Sequence, residues 1–346
     1  MKKLMGDLER YHCQIALPGF GEAAQQKLKH ARVLVAGAGG LGCPVAQYLA
    51  AAGVGHITIA DDDVVSTSNL HRQILYGPQD VGHQKALVAA RKLQEQNPHV
   101  KVDGLTTRIT SANALKLMAA HDIVVDTTDN IETKYLLNDA CVLSGVPCVY
   151  GAVYQYEGQV SVWNVNNSPN YRDLFPEIAP GVLPSCADGG VIPTLTGMIG
   201  CIQANEAIKF ITGIGELLAS KLLIIDATTM QSRTINLPDK TGTNIIAIQL
   251  TVSLISAEDL RKGIEQDSFV LIDVRNADER ELFHIGGLHL PLAEISHFEK
   301  ASDKPIVCYC ASGRRSAEAA AIIQQAYPGT TIYSLAGGLN GWKTTV

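Results

Sequence analysis

Short, unbroken apolar runs set the pattern of the first and longer part of the chain. Residues 32–36, 56–60 and 122–126 lack the alternation of half-exposed strands and predict buried parallel strands. Between them the apolar spacing changes to three and four, so that 43–52, 85–96 and 132–144 predict helices. The second of these stops before Asn97-Pro98, where the backbone ahead of proline leaves the helical region. Residues 147–153 predict a further strand. Strands alternating with helices predict an α/β fold with a Rossmann-like, doubly wound sheet. Ligands of such sheets sit beyond the carboxyl ends of the strands, where glycines and aspartates cluster here.

From 166 to 188 no period holds, and Pro169, Pro176, Pro180 and Pro184 punctuate the stretch. A long aperiodic segment in a compact domain is usually functional, and this one is expected to cross the active site. A second α/β pattern starts near Thr251, after a polar stretch beginning at Pro238. It predicts strands over 269–273 and 306–309 and a helix over 316–326. The expected organisation is one domain over 1–243, a linker over 244–250 and a small α/β domain over 251–346.

Composition narrows the partners more than the fold. At 346 residues, with 46% hydrophobic and 18% charged, the chain suits two globular domains rather than a disordered protein. A net charge of -6 argues against nucleic acid or an anionic membrane as the main partner. The most apolar stretch, 191–214, is interrupted by Gln203, Asn205, Glu206 and Lys209, which argues against a membrane span. The first ten residues lack the apolar core of a signal peptide. Eight scattered cysteines make no disulfide framework, so a reducing cytoplasm is expected. Cys43, Cys141, Cys148 and Cys201 lie in apolar runs and read as packing residues.

Gly37-Ala38-Gly39-Gly40-Leu41-Gly42 follows a predicted strand and opens a predicted helix. In that context the glycines allow a tight turn and close phosphate approach, and the helix start supplies amides and a positive dipole end. Asp61 ends the next strand, placed to hold ribose hydroxyls. The glycine pattern alone favours a dinucleotide. Arg72, Lys85 and Asp129 change that reading, because cations and a carboxylate at neighbouring strand ends suit a triphosphate with Mg²⁺ and serve no hydride transfer.

Several stretches resemble the MoeB/ThiF adenylyltransferases, relatives of the ubiquitin-activating enzymes. They include the glycine loop, 48–55, Ser68-Asn69-Leu70-His71-Arg72-Gln73, Thr128-Asp129-Asn130, Tyr156-Glu157-Gly158-Gln159 and 203–209. The resemblance covers about Arg10 to Leu237 and implies ATP with Mg²⁺. It implies attack by the C-terminal glycine carboxylate of a small ubiquitin-like sulfur carrier ending in Gly-Gly, on the α-phosphate. The expected nucleotide-binding set is Gly37, Gly39, Gly40, Gly42, Asp61, Asn69, Arg72, Gln73, Lys85, Asp129 and Asn130, with Mg²⁺ at Asp129. Arg72, Lys85 and Asp129 are the catalytic residues of the adenylation step, which needs positioning and charge neutralisation rather than a covalent base. A homodimer is implied as well. Cys13 stands where the family commonly has a second arginine, after Arg10, and Lys134 where relatives often have arginine. Asn170-Tyr171-Arg172-Asp173 replaces the first of the two C-x-x-C pairs that hold structural zinc in many relatives, so zinc is not expected. Cys186, in Pro184-Ser185-Cys186, matches the family's thiol position and is a candidate nucleophile towards the acyl-adenylate.

Cys310-Ala311-Ser312-Gly313-Arg314-Arg315 lies between a predicted strand and helix, where backbone amides can converge on one sulfur and a helix start lowers a thiol pKa. With Asp273-Val274-Arg275, Glu279, 284–287 and 336–342, residues 251–346 resemble a rhodanese domain. That implies Cys310 as persulfide carrier, the loop to Arg315 as its cradle, and a persulfide donor such as a cysteine desulfurase. Asp273 and Arg275 are expected to be structural partners. Related phosphatases have one more residue between cysteine and arginine, so the shorter spacing favours sulfur. Cys308 reads as a core cysteine. The resulting expectation is an adenylyltransferase and sulfurtransferase that makes a carrier thiocarboxylate, in a pathway such as molybdopterin or thiamine biosynthesis. The alternatives are an adenylating enzyme with another acceptor, and a sulfur-sensing or scaffold protein with a decayed adenylation site.

Overall fold

The computed structural model describes residues 8–176, 189–238, 242–248, 252–327 and 330–344. The chain forms two compact units, Met1–Ile248 and Gln249–Val346.

In the first unit the predicted runs become the parallel strands β1 (Arg32–Ala36), β2 (His56–Ala60), β4 (Ile123–Asp126) and β5 (Cys148–Tyr154), joined by β3 (Lys101–Leu105), which the apolar pattern did not predict. The helices that matter to the site are α1 (Gly42–Ala52), α2 (Lys85–Gln96), α3 (Ile131–Ser144), α4 (Tyr171–Leu174) and α5 (Pro193–Thr212). Among the described residues the sheet has eight strands in the order β3-β2-β1-β4-β5-β6-β7-β8. Its second half is antiparallel, through β6 (Glu157–Trp163), β7 (Lys221–Asp226) and β8 (Ser232–Asn236). The doubly wound reading therefore holds for β1 to β5 and gives way to an antiparallel meander beyond. Val33, Val35 and Val125 pack one core layer with Leu49 and Leu93, and Leu34 and Val124 pack the opposite one with Leu137. This two-sided burial is why these strands read as continuous apolar runs.

The family-like stretch at 203–209 has a mechanical role. Gln203 Nε2, buried on α5, donates to the Asp126 carbonyl at 2.6 Å and props the end of β4. Glu206 accepts the Leu218 amide at 2.8 Å. No helix among the described residues is long and apolar enough to cross a membrane.

A buried ion pair ties α3 to α4. Arg172 Nε and Nη2 donate to the two carboxylate oxygens of Asp139 at 2.6 and 2.8 Å, and the guanidinium lies 4.6 Å from the Tyr135 ring centre. Asn138 Nδ2 is 3.2 Å from Asp139 Oδ1 and cannot neutralise it. Removing one member of such a pair strands a buried charge, which costs about 3–5 kcal/mol. Arg172→Met is therefore expected to lower the urea midpoint of the first unit by that stability. An unchanged midpoint would show that the pair adds nothing.

The second unit is a five-stranded parallel sheet among the described residues, in the order β11-β10-β12-β13-β9. The strands are β9 (Ser253–Ile255), β10 (Val270–Asp273), β11 (Leu288–His289), β12 (Ile306–Tyr309) and β13 (Ile332–Leu335). Two of its helices bear on the chemistry, α6 (Ala277–Leu282) and α7 (Arg314–Ala326).

Candidate functional site

At the carboxyl ends of β1, β2 and β4 lies a cavity of about 640 Å³. The glycine loop forms its floor. Gly37 has φ +105°, and a side chain at Gly42 would meet the Gly37 carbonyl at 2.2 Å, so loop and helix start close on each other only with glycine at both places. Asp61 fixes the loop's position. Its Oδ2 accepts the Ala38 amide at 2.7 Å and its Oδ1 the Asp63 amide at 2.9 Å. Burial pushes the Asp61 carboxyl up from its ordinary range, against those two amides and Lys85.

Gly37, Gly39, Gly40, Asp61, Arg72 and Gln73 line the cavity, as do Lys85, Asp129 and Asn130. Gly42 and Asn69 stand behind the lining. Gly42 starts α1, and Asn69 Oδ1 receives Arg72 Nη2 at 3.0 Å, which aims the guanidinium. Lys85 is buried and its Nζ donates to Asp63 Oδ2 at 2.8 Å. Asn130 caps α3, its Oδ1 taking the Thr133 amide at 2.9 Å. Gln73 is buried with its Oε1 lacking a protein partner, an uncommon state for a buried amide. Asp129 is exposed at the cavity wall.

Part of the lining lay outside the expected nucleotide-binding set. Tyr150, Tyr171 and Phe175 form an aromatic wall, with ring centres 4.8–6.4 Å apart. Lys134 Nζ, beside that wall, donates to Asp126 Oδ2 at 3.0 Å and to the Gly151 carbonyl at 2.8 Å. Thr107, Arg108 and Ile109, following β3, close another side. Tyr171 and Phe175 belong to the proline-punctuated stretch. Its residues 177–188, with Cys186, lie outside the described residues.

Asn170 and Asp173, at the position of the missing cysteine pair, cap α4. Asn170 Oδ1 accepts the Arg172 amide at 2.9 Å, Asp173 Oδ2 the Asn170 amide at 2.9 Å, and Asp173 Oδ1 the Thr243 hydroxyl at 2.5 Å. Among the described residues no cluster of three His, Cys, Asp or Glu side chains is arranged to hold a metal.

The second unit has its own chemical centre. Cys310 directly follows β12 with its sulfur under the first turn of α7, and it is buried. Its Sγ accepts the Gly313 amide at 3.2 Å, and the Ser316 amide and hydroxyl at 3.4 Å each. Gly313 takes φ +93°, a left-handed turn that points its amide at the sulfur. Burial alone would raise the thiol, but the Ser316 hydroxyl and the amides of Ser316, Ser312 and Gly313 outweigh it and hold Cys310 below the usual thiol range. Cys308, two residues back, has no such donors and is pushed up by burial to about 12. Arg315 is engaged by Glu279 through two bonds of 2.6 and 2.7 Å, which pull the Glu279 carboxyl down to about 2. Asp273 and Arg275 pair at 2.6 Å in the buried floor. Cys43, Cys141 and Cys148 are buried and Cys201 is half-buried.

A search of known families matches residues 11–244 to the ThiF family and residues 256–345 to the rhodanese-like domain. The chain belongs to the ThiF family. Among ThiF-family relatives, "Probable adenylyltransferase/sulfurtransferase MoeZ" of Mycobacterium tuberculosis is 40% identical over 97% of this chain and 93% of its own. "Adenylyltransferase and sulfurtransferase MOCS3" of Drosophila sechellia is 37% identical over 98% of this chain and 84% of its own. "Sulfur carrier protein adenylyltransferase" of Thermus thermophilus is 50% identical over 64% of this chain and 84% of its own. Escherichia coli MccB, solved with ATP, shares the ThiF-type fold at a TM-score of 0.57, with 23% identity over 64% of this chain and 67% of that one. This ThiF-family chain is an enzyme, an adenylyltransferase joined to a rhodanese sulfurtransferase.

Proposed function

We propose that the first unit uses ATP and Mg²⁺ to adenylate the C-terminal glycine of a small ubiquitin-like sulfur carrier ending in Gly-Gly, and that Cys310 supplies the sulfur that makes its thiocarboxylate. The observation that carries this reading is the Cys310 sulfur held by three donors in a chain whose other unit has a glycine-floored cavity lined by Arg72, Lys85 and Asp129. The cavity suits ATP: the orphaned Gln73 Oε1 can accept a hydrogen bond from a ligand, and Arg72 and Lys85 can face phosphates. One carboxylate, Asp129, suits Mg²⁺, which is commonly held by one or two carboxylates and the substrate's own phosphates. Bound there, the ion would neutralise phosphate charge. The carrier carboxylate is itself the nucleophile, so Arg72 and Lys85 act by positioning and by stabilising charge as pyrophosphate leaves. Lys85 must exchange Asp63 for phosphate to do so.

In the sulfur step the Cys310 thiolate attacks the outer sulfur of a donor persulfide, such as that of a cysteine desulfurase, and the donor thiolate leaves. Because Cys310 is buried, the reaching atom is then the added sulfur, about 2 Å farther out. Cys186 is proposed to take the carrier from AMP as a thioester. The outer sulfur of the Cys310 persulfide then attacks the acyl carbon, releasing the Cys186 thiolate and leaving an acyl-disulfide. Attack of a thiolate on the Cys310 sulfur breaks that S–S bond, releases the thiocarboxylate and leaves a disulfide to be reduced by an external thiol. A homodimer without structural zinc completes the reading, supported by the engagement of Asn170 and Asp173 in capping and with Thr243. One tightly held zinc per chain in metal analysis would overturn that last part.

The test is mass spectrometry of carrier incubated with ATP, Mg²⁺, a persulfide donor and the enzyme. Wild-type enzyme is expected to give thiocarboxylate. Cys186→Ala is expected to adenylate the carrier and load Cys310 normally, yet join the two slowly or not at all. Thiocarboxylate from Cys186→Ala at the wild-type rate would remove Cys186 from the route.

A further inference from the structure

Two serines that the sequence did not single out meet beside the Cys310 sulfur. Ser316, in the first turn of α7, and Ser334, on β13, are both fully buried. Their hydroxyl oxygens lie 2.7 Å apart. Ser316 Oγ is also 3.4 Å from Cys310 Sγ and 3.0 Å from the Gly313 carbonyl. Ser334 Oγ is 3.4 Å from that same carbonyl. The meeting follows from the sheet, since β12 pairs β13 with Cys308 opposite Ser334.

Counting protons limits what this group can do. Ser316 has one hydroxyl proton and three acceptors within reach: the sulfur, the Gly313 carbonyl and Ser334 Oγ. If the proton points to the sulfur, Ser316 Oγ is left to accept, and Ser334 at 2.7 Å is placed to donate. If the proton points to Gly313, the sulfur loses its hydroxyl donor. Two orientations of one proton therefore match two states of the sulfur.

We propose that Ser316 and Ser334 form a two-hydroxyl relay that sets the ionisation of Cys310, with Ser334 donating to Ser316 and Ser316 donating to the thiolate. Ser316 touches the reacting sulfur, and Ser334 is a positioning residue acting through it. This rests on the reading of Cys310 as the sulfur carrier. In the loading step the thiolate's electron pair forms a bond to the outer sulfur of the donor persulfide. The donor's S–S bond breaks, and its electron pair leaves with the donor thiolate. No proton crosses the relay. The Cys310 sulfur becomes neutral, and the Ser316 proton turns to the Gly313 carbonyl.

The surrounding charges leave this stabilisation to dipoles. Arg315 on α7 is taken by Glu279 on α6. Below the loop, Arg275 and Arg280 both face Asp273 at the end of β10, at 2.6 and 3.5 Å. Cys308 and Tyr309, both on β12, are held neutral by burial, each pushed up to about 12. Arg314, in the loop itself, is exposed.

The experiment titrates the Cys310 thiolate in full-length protein by ultraviolet absorbance, as the difference from Cys310→Ser. Ser316→Ala is expected to raise the midpoint by about one pH unit, the scale of one hydrogen bond to a charged group. Ser334→Ala is expected to raise it by less, and to add nothing in a Ser316→Ala background. Ser334→Thr, which keeps the hydroxyl, is expected to restore the wild-type midpoint. Persulfide loading from a donor should slow in Ser316→Ala below the midpoint and converge with wild type above it, whereas a merely structural defect lowers the rate at every pH. Additive shifts in the double variant, or a wild-type midpoint in Ser334→Ala, overturn the relay. If Cys310→Ser still makes thiocarboxylate, the sulfur-carrier reading falls while the titration continues to report on the relay.

Discussion

Cys310→Ala is expected to leave carrier-dependent ATP–pyrophosphate exchange at its wild-type rate while persulfide loading and thiocarboxylate formation fall by more than about a thousandfold. Loss of a covalent nucleophile removes the route itself rather than weakening one contact. Of the two cysteines on and just after β12, only Cys310 has the amide and hydroxyl donors that favour a thiolate, whereas Cys308 is pushed up to about 12 by burial. Cys308 therefore cannot substitute near neutral pH. Both intermediates are read by mass spectrometry with one donor and one carrier. Thiocarboxylate produced by Cys310→Ala at the normal rate would sink the sulfur half of the proposed function.

Asp129→Ala is expected to have the converse phenotype. Its Cys310 should accept sulfur normally, and its pyrophosphate exchange should fall by about a hundredfold to ten-thousandfold, since a catalytic metal supplies several kcal/mol of transition-state stabilisation and each 1.36 kcal/mol is tenfold in rate. Asp129 lines the cavity, is exposed, and lies just before the Asn130 cap of α3. Removing its carboxylate touches no core contact. Normal exchange in Asp129→Ala would remove the assigned metal position. Deleting residues 251–346 should leave exchange intact. NAD reduction without ATP would revive the dinucleotide reading of the glycine loop.

The two predictions rest on features that differed in legibility. Strands β1, β2 and β4 were readable because both faces are buried, which leaves an unbroken apolar run. Strand β8 was not, because all five of its residues are exposed and no face imposes a period. In the cavity, charged side chains at strand ends announced themselves by type and order. Tyr150 did not, since an aromatic in a core-like run looks the same whether it faces a ligand or a neighbour, and Tyr171 and Phe175 did not because no period holds in the stretch that carries them. Asn69 and Asn130 were singled out by their stretches, but Asn69's place behind the lining and the hydrogen bonds of both, to Arg72 and to the first turn of α3, required coordinates. Ser316 and Ser334 were silent, because a serine declares nothing until its hydroxyl has a partner.

The Arg315–Glu279 pair has one more consequence. With its arginine neutralised, the sulfur loop acts on Cys310 through amide and hydroxyl dipoles that end within a few ångströms, in a buried spot that dissolved ions do not enter. The proposed adenylation chemistry relies instead on Lys85, Arg72 and Asp129, full charges lining the cavity around a multiply charged substrate. One polypeptide thus has two different responses to the surrounding electrolyte. As salt rises, activation of the carrier should slacken while loading of the sulfur holds steady.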